Sequence, residues 1–126
     1  MTKRVLIVDD EPDIRRIIQV SLEEMAGWKV STAQSGSDAL LTVKTGHWDA
    51  ILLDISMPDM SGFDVCQKLQ SDPATQLIPI VLLTAKVQPS DRRRFAQMGV
   101  AGVIAKPFNP VTISNEVAQT LGWELF

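Results

Sequence analysis

Histidine and cysteine are almost absent from this chain, with one residue of each, His47 and Cys66. A lone cysteine cannot close an internal disulfide, and one thiol with one imidazole falls short of the ligands a structural zinc site needs. A surplus of positive charge is missing too. The formal net charge is -3, which argues against an electrostatic grip on nucleic acid or an anionic membrane. The apolar segment after Met1-Thr2-Lys3-Arg4 is too short for the core of a signal peptide, and no stretch elsewhere is long enough to cross a bilayer. Internal repeats, low-complexity tracts and linkers are likewise lacking. With 126 residues, 45% of them hydrophobic and 21% charged, the composition is that of an ordinary globular domain with one core. The expectation is a single cytoplasmic domain over residues 1–126, with no output module after its last helix.

What is present is a repeated alternation of elements. Short apolar runs occur at residues 5–8, 29–33, 50–53, 78–83 and 102–105. The first, third and fourth are continuously apolar, as parallel strands covered on both faces are. The second alternates, Val30 and Thr32 against Ser31 and Ala33, as an edge strand does. Between the runs lie segments of helical period. Ile14, Ile17, Ile18, Leu22 and Met25 make one apolar stripe, and Gly27 follows as a C-terminal stop. Ala39, Leu40 and Val43 mark a second helix before Gly46, and Val65, Cys66 and Leu69 a third before Asp72-Pro73. Phe95 and Met98 mark a fourth before Gly99, and Ile113, Val117 and Leu121 a fifth before Gly122. This order predicts an α/β fold, a parallel sheet with helices on both faces.

The ionisable residues fall at the ends of the apolar runs. Asp9 and Asp10 follow the first, Asp54 the third, Thr84 the fourth and Lys106 the fifth. In a parallel sheet these ends share one rim, where ligands of open doubly wound sheets bind. If the first and third strands are neighbours, the three carboxylates converge. Clustered carboxylates without imidazole or thiolate make a hard oxygen site, suited to Mg²⁺, with Mn²⁺ or Ca²⁺ as substitutes. Lys106 adds a compact positive charge for a phosphoryl oxygen, and Thr84 a hydroxyl donor. A carboxylate nucleophile, a metal and a cationic clamp are the parts needed to form an aspartyl phosphate.

Four stretches carry a family resemblance: Val5-Leu6-Ile7-Val8-Asp9-Asp10-Glu11-Pro12, Leu53-Asp54-Ile55-Ser56-Met57-Pro58-Asp59-Met60-Ser61-Gly62, Leu83-Thr84-Ala85, and Ala105-Lys106-Pro107-Phe108. Each is weak alone, but together and in this order they resemble the receiver domain of two-component response regulators over essentially the whole chain. The resemblance implies a doubly wound (βα)5 flavodoxin-like three-layer sandwich, with a five-stranded parallel sheet of order 2-1-3-4-5. It implies that Asp54 accepts a phosphoryl group from phosphohistidine on a sensor histidine kinase or phosphotransfer protein. Asp10, Asp54 and the backbone carbonyl of Ser56 would ligate Mg²⁺, with Asp9 acting mainly through water. Lys106 would pair with the acidic cluster and then the phosphoryl group, while Thr84 and the adjoining Ala85 form the switch. Pro58 and Gly62 would shape the loop after Asp54, and Lys106-Pro107 would be a cis peptide. The implied role is a switch that alters its surface for a downstream protein target, without turnover of a separate substrate. Ser56 and Lys86 occupy positions that tune phosphoryl lifetime in the family. One departure stands out: the aromatic often found three residues before the lysine is here Val103.

Blander and rival readings bear on the same residues. Asp9 and Asp10 suit a helix cap, Arg92-Arg93-Arg94 a solvated helix face, Cys66 a core position and His47 a surface position near a helix end. Trp28 and Trp48 are expected to pack at strand entries. Trp123-Glu124-Leu125-Phe126 puts three large apolar side chains beyond the last helix, which suggests a homodimer or partner contact built on the fifth helix and this tail, the alternative being a tail that folds back on its own domain. A haloacid-dehalogenase-type phosphatase would place its nucleophile in a D-x-D motif after the first strand, where this chain reads Asp9-Asp10-Glu11, and usually needs a cap module. An FMN-binding flavodoxin would carry a Ser/Thr/Gly-rich loop there, whereas this loop is acidic. A receiver-like fold that has lost phosphorylation is opposed by the full set Asp9, Asp10, Asp54, Thr84 and Lys106.

Overall fold

The structure, a computed structural model, describes residues 2–85 and 88–124. Five strands, β1 (Arg4–Val8), β2 (Lys29–Ala33), β3 (Ala50–Asp54), β4 (Ile80–Thr84) and β5 (Gly102–Ala105), form one parallel sheet in the order β2-β1-β3-β4-β5. They alternate with α1 (Pro12–Ala26), α2 (Gly36–Thr42), α3 (Gly62–Ser71), α4 (Pro89–Gln97) and α5 (Ile113–Leu121), and a short 3-10 turn, Val43–Thr45, extends α2. This is the flavodoxin-like doubly wound arrangement, with strand order 2-1-3-4-5, that the resemblance implies, and the parallel sheet with helices on both faces that the order of elements predicts.

The continuous apolar character of the inner strands follows from their burial on both faces. Along β1, Val5 and Ile7 face one layer while Leu6 and Val8 face the other, and all four are fully buried. The first layer packs Val5, Ile7, Leu52, Val81 and Leu83 against Ile18 and Leu22 of α1 and Ile113 and Val117 of α5. The second packs Leu6, Val8, Ile51, Leu53 and Leu82 against Ala39, Val65, Cys66, Leu69 and Phe95 of α2, α3 and α4. The edge strands β2 and β5 are less covered, which accounts for the alternating, more polar reading of β2.

Helix ends follow local chemistry. Gly27 and Gly122 take left-handed conformations after α1 and α5, where their N–H groups satisfy late carbonyls of each helix. Ser35 and Ser61 cap α2 and α3 by accepting the N–H groups of Asp38 and Asp64. Trp28 and Trp48 are buried just before β2 and β3, and Cys66 is buried as a core residue.

The structure differs from the sequence expectations in three places. Ile78 lies outside β4, because its N–H closes a turn on the carbonyl of Thr75 and Pro79 then interrupts the donors. Ile17 and Met25 are 40% and 54% exposed, so the α1 stripe is not wholly core-facing. Trp123 packs on its own domain: its ring meets Trp28 edge-on with centroids 5.1 Å apart, and the Lys3 ammonium lies 4.8 Å from its centroid. Leu125 and Phe126, the rest of the apolar tail, lie outside the described residues.

Candidate functional site

The parallel register brings the expected side chains to one rim. Val8 pairs with Leu53, so Asp9 and Asp54 leave neighbouring strands at the same level. Asp54 pairs with Leu83 and Thr84 with Ala105, which places Thr84 and Lys106 one step further along the same edge. The Lys106 N–H donates to the Thr84 carbonyl at 2.8 Å, tying the ends of β4 and β5 together. Because β1 lies between β2 and β3, this rim includes the point where chain direction across the sheet reverses.

Two buried carboxylates share one cation there. The Lys106 ammonium lies 2.9 Å from Asp9 Oδ2 and 3.3 Å from Asp54 Oδ1. Asp9 is fully buried and Asp54 only 4% exposed. The Glu11 N–H donates to Asp9 Oδ1 at 2.9 Å, the Ser56 N–H donates to Asp54 Oδ1 at 3.3 Å, and Arg15 Nη1 donates to the Asp9 carbonyl at 2.8 Å. Asp9 thus closes a local turn on the amide of Glu11, just before α1, while also holding Lys106; it caps no amide inside the helix. Burial, and then the charge of Asp9, push the Asp54 carboxyl up to about 6, against the pull of Lys106 and the Ser56 amide. Burial works against the Lys106 ammonium, but the hydrogen bond and charge of Asp9 and the charge of Asp54 outweigh it and raise its pKa.

Asp10 completes a hard-ligand cluster. Asp9, Asp10 and Asp54 each bring a carboxylate oxygen within 4.8 Å of the others. The donor set is all oxygen, and the raised Asp54 pKa reflects burial first and the charge of Asp9 second, so the ionised carboxylate is disfavoured despite Lys106. Both features fit a hard divalent cation such as Mg²⁺.

The loop between β3 and α3 carries Ser56 and Pro58 past this cluster. Its return is tight: a Cβ on Gly62 would lie 2.6 Å from the Asp54 carbonyl oxygen and 2.7 Å from Ile55 Cα, both backbone atoms. Only glycine allows that approach, and the Gly62 N–H then donates to the Ile55 carbonyl at 2.8 Å. Lys106-Pro107 is cis, as expected. Thr84 is buried at the rim and Ala85 is exposed beside it. Val103, on edge strand β5, is 37% exposed and pairs with Leu82. Lys86 lies outside the described residues. An apolar groove of about 340 Å³ adjoins the cluster, lined by Ile14 and Ile17 of α1 with Ala85, Pro107, Phe108 and Pro110.

Residues not singled out by the sequence also belong to this neighbourhood. Arg15 reaches the Asp9 carbonyl through a helical turn, and the pair Arg15-Arg16 in an amphipathic helix gives no signal of that. Asp59 reads as a turn residue between Pro58 and Met60, yet its carboxylate bonds across to α2.

Comparison with known proteins agrees with this geometry. Residues 5–118 match the model of the response regulator receiver domain. A probable transcriptional regulator ycf27 from Cyanophora paradoxa is 36% identical over 119 residues, 94% of this chain and 48% of that protein. The alkaline phosphatase synthesis transcriptional regulatory protein PhoP of Bacillus subtilis is 35% identical over 121 residues, 96% of this chain and 49% of that protein. The chain therefore spans about half the length of these curated relatives. Among solved structures, the chemotaxis response regulator CheY4 of Vibrio cholerae superposes with a TM-score of 0.88 at 30% identity, covering 95% of this chain and 99% of CheY4. The chain belongs to the response regulator receiver domain family of two-component signalling. Members of that family work as signalling switches rather than by turning over substrate, bind Mg²⁺ at an acidic pocket, and interact with histidine kinases and downstream targets. Among the described residues, no helix is long and apolar enough to cross a membrane.

Proposed function

We propose that residues 1–126 act as one receiver domain that takes a phosphoryl group on Asp54 and thereby alters its protein-binding surface. The observation that carries this reading is the sharing of Lys106 by Asp9 and Asp54 beside Asp10, at the rim where β1 and β3 meet. In the step proposed, an oxygen of the Asp54 carboxylate bonds to phosphorus as the P–N bond of a phosphohistidine breaks. The imidazole nitrogen keeps the electron pair. With a pKa of about 6, Asp54 is mostly ionised near neutral pH and so available as the nucleophile.

Asp10, Asp54 and the Ser56 carbonyl would hold Mg²⁺, with Asp9 acting mainly through water; Mn²⁺ or Ca²⁺ would suit the same donors. When bound, the cation supplies charge neutralisation for phosphoryl oxygens. Lys106 supplies a second positive charge from the chain itself, already oriented by Asp9. Thr84 and Ala85 form the phosphoryl-binding and switch segment, and Pro58, Gly62 and Pro107 fix the loops around it. The phosphodonor would be a sensor histidine kinase or phosphotransfer protein, and the apolar groove between α1 and Phe108 is the surface beside Asp54 suited to receive it. The downstream contact, with a target or a second copy of the chain, would lie on α5 and its flank rather than on Trp123, which is committed to its own domain.

Intact-mass and Phos-tag analysis after treatment with acetyl phosphate and Mg²⁺ tests the reading. The wild type should gain one acid-stable, base-labile phosphoryl group and Asp54→Ala none. An adduct persisting in Asp54→Ala would remove the central claim.

A further inference from the structure

The loop that carries Ser56 is fastened to a helix on the far side of the rim. Asp59 accepts three hydrogen bonds from the first turn of α2: the Gly36 N–H at 3.2 Å, the Ser37 N–H at 3.1 Å and the Ser37 hydroxyl at 2.9 Å. These amides are otherwise the unsatisfied donors of a helix start. The next amide, that of Asp38, is taken by the Ser35 hydroxyl, and Asp38 in turn accepts the Gln34 N–H. The first turn of α2 therefore has its own cap within the helix, and the Asp59 bonds come from another element, more than twenty residues away along the chain. The Asp59 carboxyl is held below its ordinary pKa, chiefly by the Ser37 amide, so it is a persistent anion facing those donors.

A second, independent observation joins the same two elements. A Cβ on Gly36 would lie 2.8 Å from Met60 Cβ and 2.8 Å from Val65 Cγ2. The residue after Asp59 is thus seated directly against the helix, in space that glycine leaves open. At its other end the loop is closed by Gly62 on the backbone of Asp54 and Ile55. Ser56 lies between these two fixings.

We propose that Asp59 is a positioning residue for the metal site, holding the segment between Ile55 and Ser61 on α2 so that the Ser56 carbonyl is presented toward the carboxylate cluster. The inference rests on the reading that Asp10, Asp54 and Ser56 form a Mg²⁺ site. Its consequence is that the geometry of the metal site depends on the start of α2, a helix that contributes no ligand.

The test is Mg²⁺ titration by amide NMR of full-length wild type, Asp59→Ala, Asp59→Asn, Asp38→Ala and Asp10→Asn, with amide exchange measured on the metal-free forms. Asp59→Ala should weaken Mg²⁺ about tenfold, at the low end for residues that orient metal ligands through others. In the metal-free protein it should speed exchange at Ser56, Met57 and Met60 as well as at Gly36 and Ser37. Asp59→Asn keeps one acceptor oxygen and should recover part of the affinity. Asp38→Ala weakens the cap belonging to α2 alone and should leave Mg²⁺ binding unchanged. Wild-type affinity in Asp59→Ala, or an equal loss in Asp38→Ala, would overturn the positioning role. If instead Asp10→Asn bound Mg²⁺ as tightly as wild type, the metal reading would fail and take the inference with it, while the exchange data would still report whether the tether exists.

Discussion

At the scale of single residues, the site is an imbalance held in place by backbone geometry: buried carboxylate charge that desolvation disfavours and Lys106 only partly offsets. Asp54 is buried beside Asp9, and its pKa of about 6 lies above the ordinary 3.8. Below pH 3.8 the carboxyl is protonated in both folded and unfolded chains and makes no difference. Between about 3.8 and 6 the unfolded chain loses its proton first, so stability falls as pH rises, and above 6 the loss is constant. At 1.36 kcal/mol per pKa unit, that loss is about 3 kcal/mol. In the metal-free protein at pH 7.5, Asp54→Asn should therefore be more stable than wild type, by somewhat less than this because Lys106 loses a partner. The advantage should shrink as pH is lowered toward 4. Added Mg²⁺ should narrow it from the other side by stabilising the wild type alone. Urea denaturation of both proteins at pH 4 and 7.5, with and without Mg²⁺, measures all three effects; equal stability at pH 7.5 without metal would contradict the imbalance. Lys106 is the residue through which that imbalance reaches β5, since its ammonium holds Asp9 and Asp54 while its N–H holds Thr84. Lys106→Ala should still accept a phosphoryl group, yet amide shifts in β5 and α5 on adding beryllofluoride should be smaller than in wild type.

At the scale of elements, two glycines separate what a loop does for the fold from what it does for the site. Gly27 ends α1 at φ +70° with nothing within 4 Å of a would-be Cβ, so Gly27→Ala meets only the left-handed backbone penalty, about 1–2 kcal/mol. Gly62 is pressed on the backbone of Asp54 and Ile55, where no side chain can turn aside. Gly62→Ala should lose about 1–3 kcal/mol by overpacking, and it alone of the two should also weaken Mg²⁺ binding, as thermal melts with matched Mg²⁺ titrations would show. The elements themselves were largely legible in the sequence, because strands buried on both faces must be apolar throughout and helix stops need residues such as Gly27 and Gly122. Boundaries set by single donors were not: the run from Ile78 reads as strand, but the turn to Thr75 and the missing N–H of Pro79 delay β4 to Ile80. Periodicity also reports angle and not depth, so Met25 aligns with Ile18 and Leu22 yet remains exposed, whereas Ile17, about 100° round the helix from Ile18, sits at the edge of the stripe. In the site, Asp9, Asp10, Asp54, Thr84 and Lys106 were visible because strand ends are visible. Arg15 and Asp59 were not, since their roles lie in bonds to backbone groups that only the folded register brings within reach.

At the scale of the whole molecule, the two edges of the sheet do different work. The C-terminal edges of the strands carry the charged cluster, whereas Trp123 returns to the entry of the sheet, where Lys3 precedes β1 and Trp28 precedes β2. A signal starting at Asp54, the phosphoacceptor proposed above, has little reason to pass through that contact. It has the end of β4, then β5 and α5, joined by the Thr84–Lys106 backbone bond, and Val103 on β5 is too short and too restricted in rotamer to act as a swinging ring. Trp123 is then a fastening of the last helix to the first strands. The T-shaped pair contributes about 0.5–1.5 kcal/mol beyond the apolar area it covers, so Trp123→Ala should destabilise the fold by roughly 2 kcal/mol, with truncation after Gly122 doing at least as much. Neither change should alter self-association. Sedimentation velocity of wild type and Trp123→Ala, each with and without beryllofluoride and Mg²⁺, should give matching profiles within each condition, whatever the oligomeric state. A dimer formed by wild type on adding beryllofluoride but lost in Trp123→Ala, at a temperature where both are folded, would return this tryptophan to the interface and reverse the assignment.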